Sequence, residues 1–349
     1  MPTPPEPSAL PGEPTRGQAA ALFVASFCAV AVLFLLATVL QLINLPFGLM
    51  ATSLFVFAAA GLSFPRAFNL APATFTGLRR LPLGLVALGL ALGLANLGLA
   101  DFMMGALREL LPHGWSKMAD QTTIILVNAH RSARIVIVLA AGVAAPIGEE
   151  LFFRGWLQGV LARRYSMATS IFWTAVVFSV THMDRVGFIP RVELGILFGL
   201  LRATSGSLYP SMAAHAAHNL VSTALLYFSA DPLAELSQPF DWKQSALVGG
   251  GSLVATLAVL WLLVRFAPRA RAKEPEPLLA RRPNRPTFSF DLAAAFRGAL
   301  LVFALLVGSG VALQHFEHAL PGYGLVTNPI DEWRSRAKPP LPPANPAKP

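Results

Sequence analysis

Three groups of side chains in this sequence carry chemistry that an apolar helix does not need. The first is Gly148-Glu149-Glu150-Leu151-Phe152-Phe153-Arg154-Gly155, which sets three formal charges inside the apolar run 135–161. If that run crosses a membrane, each charge costs roughly 2.5–3.5 kcal/mol on insertion scales. Glu150 and Arg154 are four apart with the acid first, the favourable order for an ion pair on one helix face. Glu149 is rotated about 100° from that face and has no local cation, so its partner must come from elsewhere in the chain. The second group is Phe178-x-x-x-His182 and the third is His215-x-x-x-Asn219, each pair one helical turn apart in a further apolar stretch.

A carboxylate with two imidazoles can hydrolyse a bond. A glutamate screened from bulk water can take a proton from a water molecule near neutrality, and His182 can share that water or orient the carboxylate. His215 and Asn219 can donate hydrogen bonds to the oxyanion of a tetrahedral intermediate. The first mechanism requires no cofactor. Glu149, His182 and His215 can instead hold a divalent metal with open positions for water. The residues by themselves leave both mechanisms open. Packing accounts for other polar positions: His218, Asn96 and Asp101 read as helix-packing or interface residues. Glu193 reads as part of a helix-end charge group with Arg191 and Arg202. His315 and His318 lie beyond the last apolar run and read as solvent-facing.

The elements that must position these residues are membrane helices. Hydrophobic residues make up 54% of the chain, charged residues only 13%, and the mean hydropathy is +0.57, against about 25% charge in soluble domains. Apolar runs near 20 residues long repeat along the chain, about the length that crosses a hydrocarbon core. The fold class expected is all-α, a polytopic transmembrane helix bundle of eight or nine spans. The runs are 19–40, 47–64, 81–104, 135–161, 166–183, 192–203, 208–228, 246–266 and 292–313. The polar connection 108–134 has room for an interfacial helix.

Organisation follows from these runs. Residues 1–18 form a Pro-rich tail, 19–130 hold the N-terminal spans and the polar connection, and 131–230 carry the three motifs. Residues 231–313 hold the C-terminal spans with a basic linker, and 314–349 form a second Pro-rich tail, read as disordered. The 27 Lys and Arg outnumber the 18 Asp and Glu, but they sit mainly between spans rather than on one soluble face, so no nucleic-acid partner is expected. Their alternation predicts a cytoplasmic N-terminus, and the location expected is the plasma (inner) membrane. One cysteine, Cys28, excludes a disulfide within the chain and a cysteine metal cluster.

The order Glu149-Glu150-x-x-x-Arg154, then Phe178-x-x-x-His182, then His215-x-x-x-Asn219 resembles the CPBP intramembrane protease family, also called the CAAX-protease or Abi-type family. The matched region runs from about Val138 to Tyr227, and all three motifs stand in the family's order and spacing. The resemblance implies a helical intramembrane endopeptidase that cuts a membrane-associated polypeptide. It implies that Glu149 and His182 activate the water, that His215 and Asn219 form the oxyanion site, and that Glu150 and Arg154 brace it. It transfers no metal.

Other protease signatures are missing: the sequence has no H-E-x-x-H and no G-x-S-x-G. The competing class is a transporter or scaffold using Glu149 and the histidines as a proton or ion relay, and an inactive binding relative is a third reading. Substrates that fit a protease include a prenylated C-terminal peptide, a leader peptide, or the C-terminal anchor of an exported protein removed during surface sorting. An Ala-, Leu-, Pro- and Arg-rich composition, of the kind high-GC bacterial genomes encode, favours the last two.

Overall fold

A proline shapes the central helix. The computed structural model describes residues 45–67, 71–129, 131–229 and 239–271, together with Val24 and Cys28. The chain divides into two compact units, residues 1–296 and 297–349, and every described residue lies in the first. The expected spans 19–40 and 292–313 lie outside the described residues, save Val24 and Cys28, as do the basic linker beyond residue 271 and both tails. The regular structure among the described residues is helical throughout.

In chain order the helices are α1 (Gly48–Pro65), α2 (Pro72–Thr76), α3 (Leu83–Leu110), α4 (Lys117–Val127), α5 (Ala133–Arg163), α6 (Met167–Val180), α7 (Phe188–Ser205), α8 (Tyr209–Phe228) and α9 (Trp242–Ala267). Four of them, α1, α3, α5 and α9, are long and apolar enough to cross a membrane. The polar connection does contain a helix, α4, tied down by an Arg108–Asp120 ion pair at 2.7 Å.

Helix α5 carries the first motif and runs through the centre of the bundle. Residues Glu150 to Leu157 are all buried, the pattern of a helix surrounded on every side. Its aromatic side chains Phe152, Phe153 and Trp156 pack with Phe57 of α1, Phe75 of α2 and Phe178 of α6. By contrast α9 exposes Leu247, Val254, Leu257, Trp261 and Val264, the apolar surface a helix turns towards lipid.

Two stretches of α5, Ala140–Ala144 and Glu150–Leu157, are wound as π-helix. Pro146 accounts for the first. A proline ring clashes with the carbonyl four residues back and offers no N–H, and one wide turn relieves the clash. In that register Ala145 N–H bonds to the Ala140 carbonyl. The next donor in line would be Pro146, which has none, so the Ala141 carbonyl needs a partner from another helix.

Helix α3 breaks at Asn96, between Leu83–Ala95 and Leu97–Leu110. Ser252 of α9 fits the break: its hydroxyl donates to the Ala95 carbonyl and accepts from Leu99 N–H at 2.8 Å. A polar side chain inserted into the backbone ladder is a recognised cause of such a break. The first half of α3 lies against α8 at close range. A Cβ on Gly89 would stand 2.3 Å from the Pro210 carbonyl oxygen, and one on Gly93 would stand 2.1 Å from that of Ala214. Small residues are what allow membrane helices to approach this closely.

Gly93→Ala therefore pushes α3 off α8 and is expected to cost about 1–3 kcal/mol. Gly84→Ala, on the same helix with nothing within 4 Å, should leave stability unchanged or slightly raised. Thermal unfolding of the purified protein in detergent checks this, and equal midpoints for the two variants would refute the close-packing argument.

Candidate functional site

Glu150 is fully buried and is met by donors from two helices. Its Oε1 accepts from Arg154 Nη1 at 2.9 Å and from His215 Nδ1 at 3.0 Å, and its Oε2 accepts from the Ser211 hydroxyl. The ion pair expected from the i, i+4 spacing is thus made within α5, and the other two donors come from α8. Ser211, His215 and Asn219 are spaced by four and lie along one face of α8. Ser211 was missed in the sequence, although its place one turn before His215 was a usable signal.

Arg154 is fixed by α7. Its Nη2 donates to the Gly195 carbonyl at 3.2 Å, and Gln158, one turn on, donates to the Gly199 carbonyl at 3.2 Å. Both acceptors are glycines, so no side chain keeps the donors from the helix backbone. The guanidinium also lies over the Phe178 ring at 4.4 Å and the Phe198 ring at 5.3 Å, where a desolvated cation gains from the ring faces. Phe198 in turn stacks on the His215 imidazole, with centroids 4.8 Å apart and planes 20° from parallel. Neither Phe198 nor the two glycines announced themselves in the sequence.

His215 connects the two glutamates. With Nδ1 donating to Glu150, its Nε2 faces Glu149 Oε2 at 3.8 Å. Glu149 keeps a small exposed fraction, and its Oε2 makes no hydrogen bond. The two adjacent carboxylates therefore differ in kind: both oxygens of Glu150 accept hydrogen bonds, whereas Glu149 holds a bare oxygen beside an imidazole nitrogen. This supplies the partner that Glu149 lacked on its own helix.

His182 lies just past α6 rather than within it. The expected run 166–183 stops as helix at Val180, because His182 N–H and Met183 N–H bond only three residues back and Met183 takes a left-handed φ of 52°. The residue is exposed, and its Nδ1 lies 2.8 Å from the Phe178 carbonyl. A carbonyl only accepts, so Nδ1 carries the proton and Nε2 is left with its lone pair. Phe178 separates the two imidazoles: its ring centroid is 4.8 Å from that of His182 and 5.9 Å from that of His215.

Asn219 supplies the donor that Pro146 withholds, since its Nδ2 bonds to the Ala141 carbonyl at 3.0 Å. One amide hydrogen is committed there, and the other is left for a ligand. His218 is buried and its Nδ1 makes no hydrogen bond.

Glu193 does not join a helix-end charge group. It bonds to Asn96 of α3 at 2.9 Å, while Arg191 pairs with Asp184 at 2.7 Å and Arg202 reaches the Thr76 carbonyl at 3.1 Å. Two residues apart on a helix is about 200° of rotation, so Arg191 and Glu193 face opposite sides of α7.

Among the described residues no three His, Cys, Asp or Glu side chains are arranged to hold a metal ion. Glu149, His182 and His215 do not converge as a ligand triad, and the Nδ1 atoms of both histidines face acceptors within the protein.

Ser211→Ala removes one donor from the buried Glu150 and is expected to cost about 1–2 kcal/mol. Unfolding midpoints of the variant and the parent protein test this. A variant as stable as the parent would mean that the hydroxyl contributes nothing to holding Glu150.

No curated protein and no solved structure matches the chain. Residues 131–221 match the family model described as type II CAAX prenyl endopeptidase Rce1-like. That segment opens with α5 and closes just past Asn219, so it contains every motif residue described above. Residues 131–221 are thus similar to that endopeptidase family, in keeping with the resemblance carried by the three motifs.

Proposed function

We propose that the protein is an intramembrane endopeptidase that hydrolyses a peptide bond in a membrane-associated polypeptide. The observation that carries this reading is the pairing of an unbonded Glu149 Oε2 with His215 Nε2 at 3.8 Å, beside a second carboxylate whose two oxygens both accept hydrogen bonds. A carboxylate oxygen left without a hydrogen bond inside a membrane helix costs stability and so points to function.

In the proposed reaction Glu149 accepts a proton from water, with His182 sharing or orienting that water through its free Nε2. The resulting hydroxide attacks the peptide carbonyl. His215, carrying protons on both nitrogens with Nδ1 held by Glu150, donates Nε2–H to the oxyanion, and the uncommitted N–H of Asn219 adds a second donor. Protonated Glu149 then delivers its proton to the leaving amine. No step is routed through a metal. Glu150 and Arg154 keep His215 in place.

The family name supports a substrate cut near its C-terminus, and the processing or surface sorting of exported proteins at the inner membrane is the role proposed. A membrane transporter or scaffold using Glu149 and the histidines as a proton or ion relay is the alternative reading.

Glu149→Gln keeps shape and hydrogen bonding but removes the base, and should reduce turnover by about 10²–10⁴-fold without loss of stability. Glu150→Gln should chiefly destabilise the protein. Terminal-peptide mass spectrometry on cells carrying the parent protein or Glu149→Gln tests the activity. Precursors uncut only in the variant support the proposal, and identical termini with both proteins folded in the membrane would sink it.

A further inference from the structure

Arg191 stands on the face of α7 that meets the site. Gly195, four residues on, accepts from Arg154, and Phe198, seven residues on, stacks on His215; positions i, i+4 and i+7 share a helix face. One turn, about 5.4 Å along the axis, separates Arg191 from the Gly195 level. Its charge is within electrostatic reach of Glu149, His182 and His218.

The guanidinium is held in place. Its Nη1 donates to Asp184 Oδ2 at 2.7 Å, and the buried Asp184 is itself fixed by Val186 N–H and Gly187 N–H, both bonding to Oδ1 at 3.1 Å. These contacts belong to the turn that follows His182. The Arg191 side chain nevertheless keeps 26% of its surface exposed. An oriented guanidinium with donors to spare is suited to bidentate recognition of a carboxylate. Nothing in the proposed reaction uses it.

The geometry points to Arg191 as a positioning residue that binds a carboxylate of the substrate polypeptide and so sets where the chain is cut. This rests on the endopeptidase reading for its purpose, but the carboxylate site itself is read from the Asp184–Arg191 arrangement. An extended chain advances about 3.3 Å per residue. A carboxylate held by Arg191 therefore lies only a few residues from the bond presented to Glu149. The carboxylate is either the free chain terminus or an acidic side chain, and the chemistry at Arg191 is the same for both.

The test uses the purified full chain in detergent and three fluorescent acylated nonapeptides of apolar sequence. One ends in a free carboxylate, one is amidated, and one is amidated with an internal glutamate. Binding is read by anisotropy on the parent protein, Glu149→Gln, Arg191→Gln and Arg191→Lys. The parent protein and Glu149→Gln should bind a carboxylate-bearing peptide about tenfold or more tightly than the plain amide. Arg191→Gln should lose that preference and Arg191→Lys should restore part of it.

Preference for the free terminus assigns the chain end as the ligand, and preference for the internal glutamate assigns a side chain. Equal binding of all three peptides by the parent protein overturns the proposal without recourse to any variant. So does a carboxylate preference that survives Arg191→Gln. If the preference depends on Arg191 but the parent protein cuts none of the peptides or cellular precursors, the carboxylate site stands and the protease reading fails.

Discussion

A carboxylate stripped of water must be given donors by the protein, and Glu150 draws its donors from two helices. Arg154 comes from its own helix, Ser211 and His215 from α8, and Arg154 is anchored in turn to the α7 backbone at Gly195. Removing any one of these leaves a charge or a polar atom in a low-dielectric interior, where breaking a buried pair costs more than the pair contributes. The network therefore acts as a register device, since α5, α7 and α8 can sit in only one relative position if Glu150 is to be satisfied.

The register serves the neighbouring residue. Glu149 is carried on the same helix, one position back, and its Oε2 receives no hydrogen bond. Once Glu150 has oriented His215 through Nδ1, the opposite nitrogen of that ring is aimed at Glu149. One carboxylate accepts three hydrogen bonds and the other keeps an oxygen without one, with a single imidazole between them. Phe198 stacks on that imidazole and Phe178 meets it nearly at right angles, and the guanidinium lies over both rings.

Pro146 has a similar double effect. It widens the α5 turn that leads into the motif, and it leaves the Ala141 carbonyl without its own donor. Asn219 fills that place, so the residue expected to assist an oxyanion also closes a gap in the backbone ladder. Two demands on one amide are compatible because it has two hydrogens to give.

The sequence by itself determined what one helical turn can relate. The Glu150–Arg154 pair, the shared face of His215 and Asn219 and the apolar stretches that became α1, α3, α5 and α9 all follow from a fixed rise and 3.6 residues per turn. Tertiary structure alone decided which side chain of another helix stands opposite each face. Glu149 meeting His215, Ser211 meeting Glu150 and Glu193 turning from Arg191 to Asn96 depend on how closely and at what angle the helices cross. Such contacts have no period along the chain. They are set by glycines at the crossings and by the need of each buried polar atom for a partner, and both act only once the helices are together.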